Sequence, residues 1–279
     1  MKWMFLSTVA LLGAGSASLQ LPDYPPLLVA GQQYEAPFSE EEQLGFELRW
    51  KPPILPSIYA GDLRLSFTPA DLEGSETYRI EARAVSSGSL ARFVKVDNYY
   101  ESHVDRGSFR SRRMIMKTRQ GKRQRDLILN IDYDADRFHV LETDPATDPP
   151  RQIRNRRIRG LPGPMTDILS VFYALRLHEL KPGDNYLIHL NDRGRLRKVP
   201  ISVDKFERVK TPLGEFEAVQ VSTDGGFLGQ PDRGFKIWYS REAGRLPLRF
   251  EADAKIGHVS GQLVRVQTPR QIRSVVPAH

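Results

Sequence analysis

The chain has 279 residues, 40% of them apolar and 27% charged, with a formal net charge of +7 and no cysteine. Such a composition supports a sizeable core and excludes wholesale disorder. The missing cysteine excludes disulfides, thiolate metal sites, cysteine nucleophiles and acylation at a lipoprotein cleavage site.

The first residues have the pattern of a targeting segment. Lys2 supplies a positive start, Met4 to Leu12 is apolar apart from Ser7 and Thr8, and Gly15-Ser16-Ala17 offers the small side chains a signal peptidase requires. The strongly apolar part falls short of the ~20 residues a membrane span needs. Residues 1–17 are therefore predicted to be a cleaved signal peptide, leaving no transmembrane span and placing the protein in the periplasm or outside the cell. Residues 18–43 are proline-containing and aperiodic, an extended lead-in. Glu40-Glu41-Glu42 within it is taken as a solvated acidic edge.

From residue 44 the pattern has a period of two. Leu44, Phe46, Leu48 and Trp50 alternate with Gly45, Glu47 and Arg49, as expected for a strand with one buried face. The same alternation recurs at Leu63, Leu65 and Phe67 and at Tyr78, Ile80, Ala82 and Ala84, with a turn at Glu73-Gly74-Ser75. Phe93 to Val104 is β-like. Gln120-Gly121-Lys122 is a hairpin turn between Met114–Lys117 and Leu127–Ile131, and Phe138 to Leu141 forms a further strand. Thr143 to Pro164 is predicted to be a long loop.

Residues 167–177 break the β pattern. Thr166 or Asp167 can cap a helix, and Ile168, Val171, Phe172 and Leu175 follow at helical spacing. Strands resume at Tyr186–Leu190, turn at Asp192-Arg193-Gly194, and continue through Val199–Val209, Ala218–Val221, Lys236–Ser240, Leu246–Phe250 and Ile256–Val266. Residues 44–268 are thus predicted to be a single all-β, mainly antiparallel domain. Its fold is a curved sheet or an open or flattened barrel with one short helix packed on it, followed by a tail at 269–279.

Several stretches together resemble the DUF3108 family of exported bacterial domains of unknown function. They are Leu44 to Trp50 with Tyr59-Ala60-Gly61, Asp97 to Asp105, the segment Asp167 to Arg176, Thr211 to Ala218, and Trp238-Tyr239-Ser240 with Arg245-Leu246-Pro247. The resemblance runs from Leu44 to Val266. It implies an exported β protein and supplies no activity or catalytic residues. The proline-rich insert Lys51 to Pro56 departs from the family pattern.

Sites for chemistry are sparse. The six histidines lack metal-ligand spacing among themselves. Glu101, His103 and Asp105 share a strand face that could meet one cation, but a polar, solvated face is the expected reading. Ser102 and Ser240 lie in no nucleophile-elbow motif, and Gly225-Gly226 with Gly229 lacks the residues of a phosphate loop. No metal, cofactor or catalytic residue is predicted, although an envelope hydrolase built on Glu101, His103 and Asp105 stays open as an alternative. The most informative feature is a basic run. Arg106 to Arg125 holds nine Arg/Lys residues and no acid, and Arg151 to Arg159 holds five more. Arg110, Arg112, Arg113, Lys117, Arg119, Lys122, Arg123 and Arg125 are the candidate ligand-binding residues, suited to anionic groups. The expected function is a non-enzymatic envelope binding module for an apolar or anionic amphiphile such as an envelope lipid or lipopolysaccharide. A structural or assembly factor docking on another envelope protein is the alternative. Nucleic acid is not an expected partner of an exported chain.

Overall fold

The computed structural model describes residues 23–93, 95–223, 234–253 and 257–268. The predicted signal peptide, the glycine cluster at 225–229 and the tail at 269–279 lie outside the described residues.

Fifteen strands and two short helices follow the lead-in. They are β1 (Glu42–Lys51), β2 (Ile58–Leu72), β3 (Ser75–Ser86), α1 (Gly88–Phe93), β4 (Val96–Asp105), β5 (Ser111–Gln120), β6 (Arg123–Asp132), β7 (Arg137–Asp144) and β8 (Arg151–Arg159). The second half comprises β9 (Thr166–Asp167), α2 (Ser170–Ala174), β10 (Asn185–Asp192), β11 (Arg195–Thr211), β12 (Gly214–Thr223), β13 (Phe235–Ser240), β14 (Pro247–Asp253) and β15 (His258–Gln267).

All strands form one sheet in the order β8-β7-β6-β5-β4-β3-β2-β1-β15-β14-β13-β12-β11-β10-β9. The two halves are meanders stitched together where β1 pairs antiparallel with β15. Among the described strands β9 and β10 are the one parallel pair, with an isolated parallel bridge between Pro26 and Leu187. A sheet this wide must curl, because each strand is rotated against its neighbour. It curls into an open barrel with β8 and β9 as its two free edges. The ends approach through side chains and not through a ladder. The tip of the β10–β11 hairpin reaches across to β7, where a Cβ added to Gly194 would stand 2.9 Å from Val140 Cγ1. Gly194 also has φ +81°, so two separate constraints call for glycine there.

The segment between β8 and β9 crosses the concave face. Ser111 donates its N–H to Met165 at 2.8 Å, and Met165 N–H donates to the Tyr133 hydroxyl at 3.2 Å. Helix α2 and a single 3-10 turn, Leu175–Leu177, follow and fill the interior. Asp167 is not the N-cap: that position is Leu169, which has no side-chain cap hydrogen bond, but from two residues earlier the Asp167 Oδ1 accepts the N–H groups of Leu169 (2.8 Å) and Ser170 (2.9 Å). The helix itself is shorter than 167–177.

The interior is packed with aromatic rings. Phe67 meets Phe38 at 4.9 Å, Tyr78 at 4.5 Å and Tyr173 of α2 at 5.1 Å between centroids. Against this cluster lies a fully buried ion pair. The Arg176 guanidinium donates to both oxygens of Glu42, at 2.7 and 2.9 Å, and twice to the carbonyl of Gly244, at 2.9 and 2.7 Å. It also stacks 4.2 Å from the Phe38 centroid.

Three expectations are corrected. Glu42 is not a solvated edge: it lies two residues before Leu44, so the same alternation turns it inward. The region Thr143–Pro164 is not all loop. Residues 151–159 form β8, paired along β7, and their burial is too slight to leave an apolar alternation in the sequence. The lead-in is extended, as expected, but belongs to the core: Leu27, Leu28 and Phe38 are buried, and Leu27 and Leu187 are joined by backbone hydrogen bonding beside Pro26. The insert at Lys51–Pro56 forms an exposed connection, with Ile54 95% accessible.

Replacing Arg176 or Glu42 with alanine leaves an unpaired charge inside the core. Each substitution is expected to lower unfolding stability by about 3–5 kcal/mol, measured by urea denaturation. A second prediction concerns pH. Burial, aided by the charge of Arg245, holds the His178 imidazole below its ordinary value of 6.5, and burial with Lys198 does the same to His189. The folded chain therefore binds fewer protons than the unfolded chain as pH falls below 6.5. Stability complete above pH 6.5 should decline from there downward, and His178→Gln should flatten that part of a pH–melting curve.

Candidate functional site

The basic run divides between the two faces of the β5–β6 hairpin. Two-residue alternation places Met114, Met116, Thr118 and Gln120 of β5 on the concave side with Arg123, Arg125, Leu127 and Leu129 of β6. Arg113, Lys117 and Arg119 consequently face outward. Arg113 donates to Asn130 and Glu73, each at 2.5 Å, and Arg119 to Asp126 at 2.5 Å. Lys117 is exposed opposite Asp126, and Lys122 is exposed in the turn. Arg110 and Arg112 converge on Asp105, at 2.5 and 3.6 Å, and Arg110 stacks 4.2 Å from the ring centroid of Tyr133. Six of the eight candidate residues thus lie outside any common recess.

Arg123 and Arg125 are the two that meet in one. They line a cavity of about 90 Å³ between β4–β7 and the β10–β11 tip. Its base is apolar, formed by Tyr100, Met116, Leu127 and Ile168. The polar part of the lining is Thr118, Gln120, Arg123, Arg125 and Arg193 with the carboxylates of Glu142 and the buried Asp192. Both carboxylates have cationic partners at the rim or beside it. Glu142 takes Arg154 at 3.0 Å, and Asp192 takes Arg193 at 3.0 Å and Arg197 at 3.4 Å. Arg125 is held by Asp144 at 2.8 Å. Burial, together with the charges of Arg125 and Arg193, depresses the Arg123 pKa below its usual value against the pull of Glu142. The arginines therefore crowd one another on a partly desolvated wall.

Asp192, Arg193 and Glu142 are the residues of this recess that sequence reading missed. Asp192-Arg193-Gly194 is legible as a turn, but nothing local says that the turn lands on β7. Arg193 has φ +51°, a left-handed conformation at the hairpin tip that places it beside Asp192 and next to the glycine contact.

Other candidates are engaged elsewhere. Glu101 and His103 form a 3.0 Å contact on the convex face, and the second His103 nitrogen lies 3.3 Å from the Thr77 hydroxyl. The Tyr99 hydroxyl lies 2.5 Å from Glu101 and 2.7 Å from Glu81, its single proton shared between the two carboxylates. Burial opposes the charge on Glu101, but Tyr99 and His103 outweigh it and hold the carboxyl below its usual range. Asp105 is drawn away to Arg110, so the row Glu101, His103 and Asp105 does not converge. Among the described residues no group of three His, Asp or Glu side chains is placed to hold a metal ion.

Ser102 and Ser111 are fully buried and donate to Asp167 Oδ2, at 2.5 and 2.8 Å. With its two contacts to backbone N–H groups Asp167 accepts four hydrogen bonds. This is the constellation of a structural anchor that ties α2 to β4 and β5. Ser240 is likewise buried and accepts the N–H of Leu246 at 2.9 Å.

Comparison with known proteins follows this geometry. No curated protein matches the chain. Among solved structures, a β-barrel-like protein of the domain of unknown function DUF1849 from Brucella abortus is similar, with a TM-score of 0.53 and 11% identity over 83% of this chain and 98% of that one. A protein described as exported, with a YmcC-like fold, from Bacteroides fragilis gives a TM-score of 0.32 at 9% identity, covering 85% of this chain and 100% of that one. One described as a lipoprotein from Parabacteroides distasonis gives 0.35 at 9%, covering 85% and 99%. The first likeness supports the barrel-like fold alone. The profile of the family described as "Protein of unknown function (DUF3108)" matches residues 46–264, and the chain belongs to that family.

Proposed function

We propose that this protein is an exported, non-enzymatic envelope module that binds the anionic group of an envelope amphiphile in the arginine-lined recess of its concave face. The observation that carries this reading is the convergence of Arg123, Arg125 and Arg193 over an apolar base. Guanidinium groups suit phosphate and carboxylate because their forked donors match paired oxygens. An anion seated between them would offset the burial and, after it, the charges of Arg125 and Arg193 that lower the Arg123 pKa.

The size of the recess narrows the ligand. At about 90 Å³ it is far below the roughly 300–1,000 Å³ of pockets that engulf drug-sized ligands. The remaining interior is occupied by α2, the crossing segment and the aromatic cluster. An acyl chain has no room inside, so the head group is the part recognised and the chain stays outside or in its membrane. The export half of the reading rests on the N-terminal pattern of Lys2, the apolar stretch and Gly15-Ser16-Ala17.

Two measurements test these points. Short-chain phosphatidylglycerol, titrated calorimetrically at low salt, should bind, and short-chain phosphatidylcholine should bind more weakly. Changing Arg123, Arg125 and Arg193 together to Gln should weaken phosphatidylglycerol by about tenfold or more, given ~0.5–1 kcal/mol per partly screened contact. Equal binding of the two lipids, or no effect of the triple change, would sink the reading. For export, the intact mass of protein recovered from the periplasmic fraction should equal residues 18–279. Recovery of the full-length mass in the cytoplasm would refute it.

A further inference from the structure

The two free edges of the sheet are treated very differently. At one end β9 is two residues long, and both Thr166 and Asp167 are buried. That edge offers nothing to an incoming chain. At the other end β8 runs for nine residues, Arg151–Arg159, without proline, and most of it is exposed. Its inner side pairs with β7 along its length. Its outer side pairs with no strand among the described residues. A long edge with free N–H and C=O groups is a template for strand addition.

The side chains of β8 state what kind of strand fits. Five of its nine residues are arginine, at 151, 154, 156, 157 and 159, and none is acidic. Two are paired within the sheet: Arg154 with Glu142 at 3.0 Å and Arg151 with Asp144 at 3.4 Å. Arg156, Arg157 and Arg159 are exposed and make no ion pair among the described residues. Alternation distributes these three across both faces. Arg156 follows Arg154 and the core-packed Ile158 to the concave side, and Arg157 and Arg159 follow Asn155, which contacts His139, to the convex side.

Charge alone would explain an edge protected from aggregation. Charge is one protective device beside a short strand, a proline or a bulge; β9 uses the first of these at the opposite edge, and β8 has one irregularity, opposite the Glu142–Thr143 step. In β8 the full length is retained and the cations are all arginine, the side chain best shaped for carboxylates. A second copy of β8 is disfavoured as the partner, because two strands that each carry five arginines and no acid repel one another. We propose that β8 is a docking edge for an extended, acidic segment of a partner protein, which adds to the sheet as a further strand. Main-chain hydrogen bonds supply the pairing, and carboxylates on both faces of the incoming strand meet Arg156 on one side and Arg157 and Arg159 on the other. The three arginines of this surface do not line the concave recess, although Arg154 of the same strand reaches Glu142 there.

The test uses the full chain and a fluorescent peptide matched to β8 in length, built from a Glu-Glu-Val-Val repeat so that both faces of the strand carry carboxylates, read by anisotropy at about 50 mM salt, where screening is modest. The acidic peptide should bind, and the same peptide with Lys for Glu should not. Exchanging Arg156, Arg157 and Arg159 together for Glu should weaken binding by about tenfold or more, as expected for three reversed surface contacts. Changing Arg123, Arg125 and Arg193 to Gln should leave it unchanged. The acidic peptide methylated on every backbone nitrogen keeps its charge but loses the donors of both its edges, so neither edge can pair with β8. Its binding should be lost, and amide exchange in β8 should slow only with the unmethylated peptide. Equal binding of the methylated peptide would overturn the proposal, because the contact would then be charge attraction without strand addition. So would binding of phosphatidylglycerol vesicles through the same three arginines with no binding of the acidic peptide, since the edge would then be a lipid contact. The methylated peptide keeps the test valid even if the arginine variant misfolds, since there the protein is unaltered.

Discussion

The Arg176–Glu42 pair holds three parts of the molecule to one point. Glu42 begins the first strand, Arg176 lies in the 3-10 turn that extends α2, and Gly244 sits in the connection between β13 and β14. A guanidinium has five donors and no acceptor, so burying it requires several fixed oxygens. Here a bidentate carboxylate and one carbonyl provide them, while Phe38 and Tyr173 cover its faces. Arg245 then donates to the carbonyl of Arg176 at 2.9 Å, which ties the same loop to the helix a second time. Because an unpaired buried charge is so costly, the seam between β1 and β15, the helix and the β13–β14 turn are constrained to form together.

That constraint decides what the barrel can be used for. With α2 and the segment before it drawn into the concavity, the interior becomes core. Asp167 reinforces the arrangement by collecting two serine hydroxyls and two backbone N–H groups at the start of the helix. A hollow barrel could hold a ligand at its centre, but a filled one must offer its rim and its edges. Both features assigned a binding role here obey that rule. The arginine recess opens where the β10–β11 tip meets the sheet, and the basic edge of β8 lies at the outer limit of the same half.

Local order was legible wherever one face of a strand is buried. The alternation at Leu44, Phe46 and Trp50, the turns at Gly121 and Gly194, and the hydrogen bonds of Asp167 just before α2 each reflect neighbours within a few residues. Glu42 was also readable in principle, since it sits in phase with Leu44, but a run of three glutamates suggests water more strongly than a period of two suggests burial. β8 was illegible for a different reason. It is a strand because its backbone pairs with β7, and its side chains hardly take part in the core. The basic run shows the limit most clearly. Its residues are adjacent in sequence, yet β-alternation sends Arg113 and Arg119 to carboxylates on the convex face and Arg123 and Arg125 to the concave recess.

By itself, then, the sequence determined the family, the antiparallel strands, the helical break before β10 and the concentration of arginine, but not α1. These depend on side-chain period, turn chemistry and composition, which act over short distances along the chain. Only the tertiary structure decided that the sheet stays open, that its centre is filled, and that Arg193 joins Arg123 and Arg125 from 70 and 68 residues away. Those outcomes depend on the accumulated twist of fifteen strands and on where one buried arginine finds its oxygens. Neither is encoded in any local window.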